Sequence, residues 1–202
     1  MFLVADYEVG SNSIPKVRGF KMASLNITSL TRHIDELRAF LADQCLDVVS
    51  INETILDSLI ADNLVHVDGY SIVKKDRNRN GGGVCFYLRS TLNYRLRDCL
   101  IVGDEFEVLS VDVMKPNSKA FNVTAAYRPP NCTEDFFENL KNLVRALDLE
   151  SKELIILGDL NCTYLANSNI VNDAIKAIEH RVSFVSTDNR TDKNYAHFQH
   201  TH

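Results

Sequence analysis

Apolar and polar positions change period several times along the chain, and each change marks an element. Phe20–Ile27 (FKMASLNI) reads as a strand. Leu30, Ile34, Leu37 and Leu41 then recur at helical intervals in LTRHIDELRAFL, predicting an amphipathic helix with its apolar face inward. The apolar run Asp47–Asn52 (DVVSIN) fits a buried strand, so the opening predicts strand, helix, strand. Five short candidate strands follow: Gly69–Lys75, Gly83–Arg89, Asn93–Arg97, Phe106–Met114 and Phe121–Tyr127. NRNGGG, Asn78–Gly83, is the clearest turn signal among them.

A second helix is predicted over Cys132–Leu149. Thr133 suits its N-cap, Glu134 and Asp135 suit the positive end of its dipole, and Phe136, Leu140, Leu143 and Leu147 form its inner face. Leu154–Leu157 is the next strand and Ile170–His180 a third helix. Residues 1–17 read as irregular, 18–180 as the domain, and 181–202 as an unpatterned tail. Consecutive strands between helix-containing units predict an α/β architecture, two sheets face to face with helices outside.

Composition narrows the class without naming it. An apolar fraction of 45% with 24% charged residues is ordinary for a globular domain. No window approaches a membrane span, and the opening MFLVADYEVG, broken by Asp6 and Glu8, is too short for a secretory leader. A nuclear or cytoplasmic protein is expected. Cys45, Cys85, Cys99, Cys132 and Cys162 are scattered without zinc-site spacing, which predicts reduced, mostly buried thiols. Asn-x-Ser/Thr triplets begin at Asn26, Asn52, Asn122, Asn131, Asn161 and Asn189, several on or beside predicted buried strands, where a glycan would not fit.

The net charge is −5, yet Lys74, Lys75, Arg77, Arg79, Arg89, Arg95 and Arg97 face only Asp76 between positions 74 and 97. That segregation fits either a solvated strand face or a patch that tracks phosphates.

Polar residues collect where apolar strands end. Asp159 and Asn161 leave Leu154–Leu157 two positions apart, and strand alternation would turn both to one face. A carboxylate and an amide together suit a hard cation or an activated water, though Asp-x-Asn after an apolar run also makes an ordinary turn. Asn26, Glu53 and Tyr127 sit at three other strand exits, and exits of neighbouring strands converge on one rim.

Leu25-Asn26, Asn52-Glu53-Thr54, Tyr127-Arg128-Pro129-Pro130 and Gly158-Asp159-Leu160-Asn161 occur in an order that resembles the endonuclease/exonuclease/phosphatase superfamily, the DNase I-like enzymes, over about Phe20–Leu165. SLNITSLTRHIDELRAFL, INETIL, NGGGVCFYLR and AYRPPN are most similar to the endonuclease domain of LINE-type non-LTR retrotransposons. The resemblance implies a four-layered α/β/β/α sandwich and a DNA-cleaving phosphodiesterase, expected to act as a monomer. It implies Glu53 as main ligand of Mg²⁺ or Mn²⁺ with Asn26 beside it, and Asp159 orienting or deprotonating water. Asn161 and the Tyr127 hydroxyl would donate to the phosphoryl oxygens. Lys74, Lys75, Arg77, Arg79 and Arg128 are the candidate contacts to DNA backbone.

The family's later elements are harder to find. The chain has no Asp-His dipeptide; His197, His200 and His202 follow no serine-aspartate, and Thr187 and Arg190 only faintly match a threonine-arginine element. The expectation is a domain incomplete at its C-terminus, with little or no activity. Two alternatives stand beside it: a phosphatase of the same superfamily, acting on inositol lipids or nucleotides, and a non-catalytic module that holds nucleic acid.

Overall fold

Among the described residues two five-stranded sheets stack face to face, each with one α-helix on its outer side. The computed structural model describes residues 2–4, 19–77, 80–97, 107–129, 135–161 and 182–186. The first sheet contains β1 (Phe2–Val4), β2 (Lys21–Asn26), β3 (Val48–Asn52), β4 (Tyr70–Lys75) and β5 (Val84–Arg89), in the order β1-β2-β3-β5-β4. The second contains β6 (Asn93–Leu96), β7 (Glu107–Met114), β8 (Phe121–Tyr127), β9 (Leu154–Asp159) and β10 (Val182–Ser186), in the order β10-β9-β8-β7-β6.

Each sheet has two parallel pairings and two antiparallel ones, so that only β5 in the first and β7 in the second run against their companions. The parallel centre of each is a crossover unit: β2 and β3 joined through α1 (Ile34–Gln44), and β8 and β9 joined through α2 (Asp135–Asp148). Parallel neighbours need such a connection, because the chain must return to its starting edge before the next strand begins.

Strand alternation sorts side chains into three cores. Met22, Val48, Val84, Phe86 and Leu88 of the first sheet meet Leu109, Val111, Val113, Val123, Ala125, Ile155 and Leu157 of the second. The opposite faces of the same strands serve the helices. Ala23, Val49, Ile51, Cys85 and Tyr87 lie under Ile34, Leu37 and Leu41 of α1. Val108, Ala126, Leu154 and Ile156 lie under Phe136, Phe137, Leu140, Leu143 and Leu147 of α2. Strands buried on both faces, as β3 and β9 are, belong at the middle of such a four-layered α/β/β/α sandwich. Each fully buried Leu, Ile, Val or Phe contributes roughly 1.5–3 kcal/mol.

The predicted strands are all present. The first helix starts later than its apolar period, at Ile34. The reason lies in the backbone: the Ser29 and Leu30 amides donate to the Glu53 and Thr54 carbonyls at 2.8 and 2.9 Å, which ties the segment to the β3 exit before the helix begins. Leu30 is buried all the same. Phe2–Val4 and Val182–Ser186, stretches without a readable period, pair in parallel with β2 and β9.

Cys85 is buried, and burial pushes its thiol far up; Cys45 is exposed, at the left-handed C-cap of α1 (φ 51°). Cys99, Cys132, Cys162, the cap at Thr133 and Glu134, the third helix, and the Thr187, Arg190 and C-terminal histidine positions lie outside the described residues. Among the described residues no helix is long and apolar enough to cross a membrane.

Candidate active site

The C-terminal ends of the two parallel pairs meet at one rim of the sandwich. Asn26 stands opposite Asn52 on β2 and β3, and Tyr127 opposite Asp159 on β8 and β9. Parallel strand ends are where α/β sheets place ligands, since the loops there diverge and leave room.

Asp159 is held in place by the residue before it. Gly158 has φ 143°, and a β-carbon there would overlap the Ala126 carbonyl oxygen and stand 2.8 Å from its carbonyl carbon. Only glycine allows β8 and β9 to approach so closely at the register that sets Tyr127 beside Asp159.

The Asn26 amide joins the two sheets. Its Nδ2 donates to Glu53 Oε1 at 3.0 Å and to Asp159 Oδ2 at 3.4 Å. The Tyr127 hydroxyl donates to the same Glu53 Oε1 at 2.9 Å, and the Thr28 hydroxyl to Glu53 Oε2 at 3.4 Å. Burial first, then the Glu53 hydrogen bond and the charges of Glu53, Glu107 and Asp159, push the Tyr127 phenol well above its ordinary value. It therefore stays protonated and acts as a donor throughout the neutral range.

Asn161 is close by, but for a different reason from strand alternation. The strand ends at Asp159, and Asn161 turns into the left-handed region (φ 43°). Its backbone amide donates to Asp159 Oδ1 at 2.9 Å in an Asx turn, and its side-chain Nδ2 donates to the Arg128 carbonyl at 2.8 Å. The Arg128 guanidinium, one step on from inward-facing Tyr127, lies 5.0 Å from the Phe137 ring of α2 and donates to the Asn161 carbonyl at 3.3 Å.

The basic stretch is largely spent on internal pairing. Lys74 lies 2.9 Å from Asp62 and 3.1 Å from Asp76, and Arg89 is 3.4 Å from Asp47. Arg95, Arg97 and Lys152 surround Asp112, while Arg97 and Lys152 also pair with Glu150. Arg77 reaches Glu107 at 2.6 Å, and the charge of Lys75 also acts on that carboxylate. Arg79 lies outside the described residues.

Two residues of this rim escaped the sequence reading. Thr28 follows Asn26 by two positions on the exit turn. Glu107 begins β7 directly opposite Tyr127; its signal was a carboxylate in register with Leu109, Val111 and Val113 on an apolar face.

The donor set suits a hard divalent cation. Two carboxylates from different sheets share one amide hydrogen-bond donor, an arrangement that separates like charges without neutralising them. The Asn26 side-chain oxygen, Oδ1, is buried with no hydrogen-bond partner among the described residues. All the available ligands are oxygens, as Mg²⁺ prefers. Among the described residues no three His, Cys, Asp or Glu side chains gather as a ready-made metal cage. Mg²⁺ does not need one, since it commonly binds through one or two carboxylates and keeps several waters.

A two-sheet sandwich with this rim defines a class of phosphoester-cleaving folds. The model of the Endonuclease/Exonuclease/phosphatase family matches residues 17–179, and the chain belongs to that family. Its fold is similar to that of an AP endonuclease from Archaeoglobus fulgidus (TM-score 0.58, 16% identity), over 80% of this chain and 70% of that one. It is similar also to the 3′-5′ exonuclease NExo from Neisseria meningitidis (TM-score 0.51, 20% identity, 69% of this chain and 57% of that one). The human Nocturnin catalytic domain gives a TM-score of 0.51 at 13% identity, over 73% of this chain and 65% of that one. At these identities the likeness is one of fold. No curated protein sequence matches the chain.

Proposed function

We propose that this chain is a metal-dependent phosphodiester hydrolase domain that acts on DNA, of the kind carried by LINE-type retroelements. The observation that carries the proposal is the bridge from the Asn26 amide to Glu53 and Asp159, with the Tyr127 hydroxyl on the same Glu53 oxygen. What Glu53 and Asn26 would hold is Mg²⁺ or Mn²⁺, whose chemistry is to polarise a scissile phosphoryl group and offset charge on the leaving oxygen. Asp159, mostly buried and braced by the Asn161 amide, is placed to orient a water and accept its proton. Tyr127 would turn its one hydroxyl proton from Glu53 Oε1 to a phosphoryl oxygen when Glu53 holds the cation. Asn161 has a second amide hydrogen for the same purpose, one being engaged with Arg128.

DNA as substrate is supported by analogy of fold, a related Neisseria 3′ phosphatase NExo having been solved with a product DNA hairpin. The retroelement assignment is supported by the INETIL, NGGGVCFYLR and AYRPPN segments. A second reading is a module of the same fold that holds nucleic acid without cutting it.

The test is nicking of supercoiled plasmid in Mg²⁺ or Mn²⁺, alongside Mn²⁺ titration followed by electron paramagnetic resonance. The hydrolase reading expects slow, chelator-sensitive nicking, with both nicking and Mn²⁺ uptake lost in Glu53→Gln. DNA retention with no nicking identifies the binding module. Release of phosphate from nucleotides or inositol lipids, with intact plasmid, identifies a phosphatase.

A further inference from the structure

Glu107 heads a row of inward-facing side chains that continues as Leu109, Val111 and Val113 in the core between the sheets. Its side chain is only 3% exposed. A carboxylate in that position needs strong partners. The Gly83 amide donates to Oε2 at 2.6 Å and Arg77 Nη1 to Oε1 at 2.6 Å. Burial pushes the carboxyl above its ordinary value, while the Gly83 amide, Arg77 and Lys75 pull it down.

The glycine run lies flush against this carboxylate. At Gly82 (φ 75°) a β-carbon would stand 2.6 Å from both Glu107 oxygens, and at Gly83 (φ 87°) it would overlap the Thr54 hydroxyl. The same glycines face the metal-ligand segment. The Gly83 carbonyl accepts from Thr54 N at 3.2 Å and the Gly82 carbonyl from Ile55 N at 3.0 Å. Glu53 and Ile55 both hold left-handed backbones, φ 55° and 50°. On the far side the Glu53 carbonyl is taken by Ser29 N. Glu53 is thus clasped between the β2 exit turn and the glycine loop, and the loop is fastened to the second sheet by Glu107.

We propose that Glu107 is a positioning residue: its buried carboxylate pins the 81–83 loop against Thr54 and Ile55, and so sets the direction in which Glu53 presents its ligand oxygens. The inference rests on the reading of Glu53 as the metal ligand. It gives NGGG a purpose beyond reversing the chain, since a β-carbon at Gly82 would meet the Glu107 carboxylate and one at Gly83 the Thr54 hydroxyl.

The experiment compares the full chain with Glu107→Gln, Gly82→Ala and, as a control for general destabilisation, Val111→Ala in the same core. Amide hydrogen exchange is measured at Thr54 and Ile55 relative to Ile51, together with Mn²⁺ affinity and melting temperature. The expected result is faster exchange at Thr54 and Ile55 in both loop variants. Mn²⁺ binding should weaken by about 10-fold or more, the usual consequence of losing a residue that orients a metal ligand. Val111→Ala should lower the melting temperature and leave both readouts as in the wild type. Unchanged exchange and Mn²⁺ affinity in Glu107→Gln overturn the proposal, as does a Val111→Ala variant that weakens Mn²⁺ equally. A wild-type chain that takes up no Mn²⁺ overturns the metal reading itself. The exchange data then still decide the clamp, which stands if Thr54 and Ile55 lose protection in Glu107→Gln and falls if they do not.

Discussion

Gly158→Ala separates two costs that usually arrive together. Gly158 sits at φ 143°, in a region that side chains rarely adopt, and its missing β-carbon makes room for the Ala126 backbone. Gly81 has nearly the same φ, 142°, but nothing within 4 Å of where its β-carbon would be. The Gly81→Ala loss is therefore the conformational cost alone, on the order of 1–3 kcal/mol. Gly158→Ala carries that cost plus the overlap with Ala126, a backbone atom group that cannot swing aside as a side-chain tip would. Overpacking of this kind adds roughly 1–3 kcal/mol. Gly158→Ala should thus lose about 2 kcal/mol more than Gly81→Ala, a difference of several degrees in melting temperature for a domain of this size. Urea denaturation at constant m-value measures it. Equal losses in the two variants would refute the claim that close strand approach, rather than φ, reserves position 158 for glycine.

The remaining expectations concern charge. Tyr127→Phe removes a donor to Glu53 while keeping the ring between the sheets, so nicking should fall by about 100-fold with little change in melting temperature; a large stability loss with unchanged relative activity would make the hydroxyl structural. Acid should unfold the protein through the Asp112 and Glu150 network. Hydrogen bonds from Arg97 and then Lys152 hold the Glu150 carboxyl down to about 2. Burial pushes Asp112 up, but donors from Lys152, Asn122, Arg95 and Arg97 outweigh it and bring it well below the usual range. Both folded values lie below the unfolded ones, near 4, so this stability is complete above that pH and drains away as pH falls toward 2. Denaturation midpoints measured from pH 6 to pH 2 should show that slope, and Asp112→Asn should flatten it; an unaltered slope would remove Asp112 from the network.

The fold was readable wherever burial imposed a period. Both faces of β3 and β9 are buried, and their apolar runs stand out; the i, i+3, i+4 rows of α1 and α2 do the same. The strands Phe2–Val4 and Val182–Ser186 were not readable, since their place is fixed by parallel pairing with β2 and β9, which leaves no local period. Asn26, Glu53, Tyr127 and Asp159 could be singled out because each interrupts or ends an apolar run. Their meeting depends on which sheet stacks on which, and that is not written in any one segment. At Asn161 the sequence left continued pleating and an Asp-x-Asn turn both open, and the backbone takes the turn, with asparagine in the left-handed region it tolerates well. The internal pairing of the basic stretch was hidden for another reason. Apart from Asp76, the carboxylates that answer it, Asp47, Asp62, Glu107, Asp112 and Glu150, stand outside the stretch in sequence and meet it only after folding.

The arrangement explains why the acidic residues of the rim are divided between the sheets. Glu53 comes from one crossover unit and Asp159 from the other, so neither unit alone brings these two carboxylates together. The repulsion appears only when the sheets stack, and stacking is driven by the apolar core beneath, from Met22 and Phe86 to Val123 and Ile155. A hydrophobic interface can thus hold like charges closer than the charges would choose, bridged by a single amide. A protein that only needed to fold would gain by replacing either carboxylate with an apolar or neutral side chain. A protein that must attract a cation and present it to an anion gains by keeping both, and by setting them at the rim where the strands end.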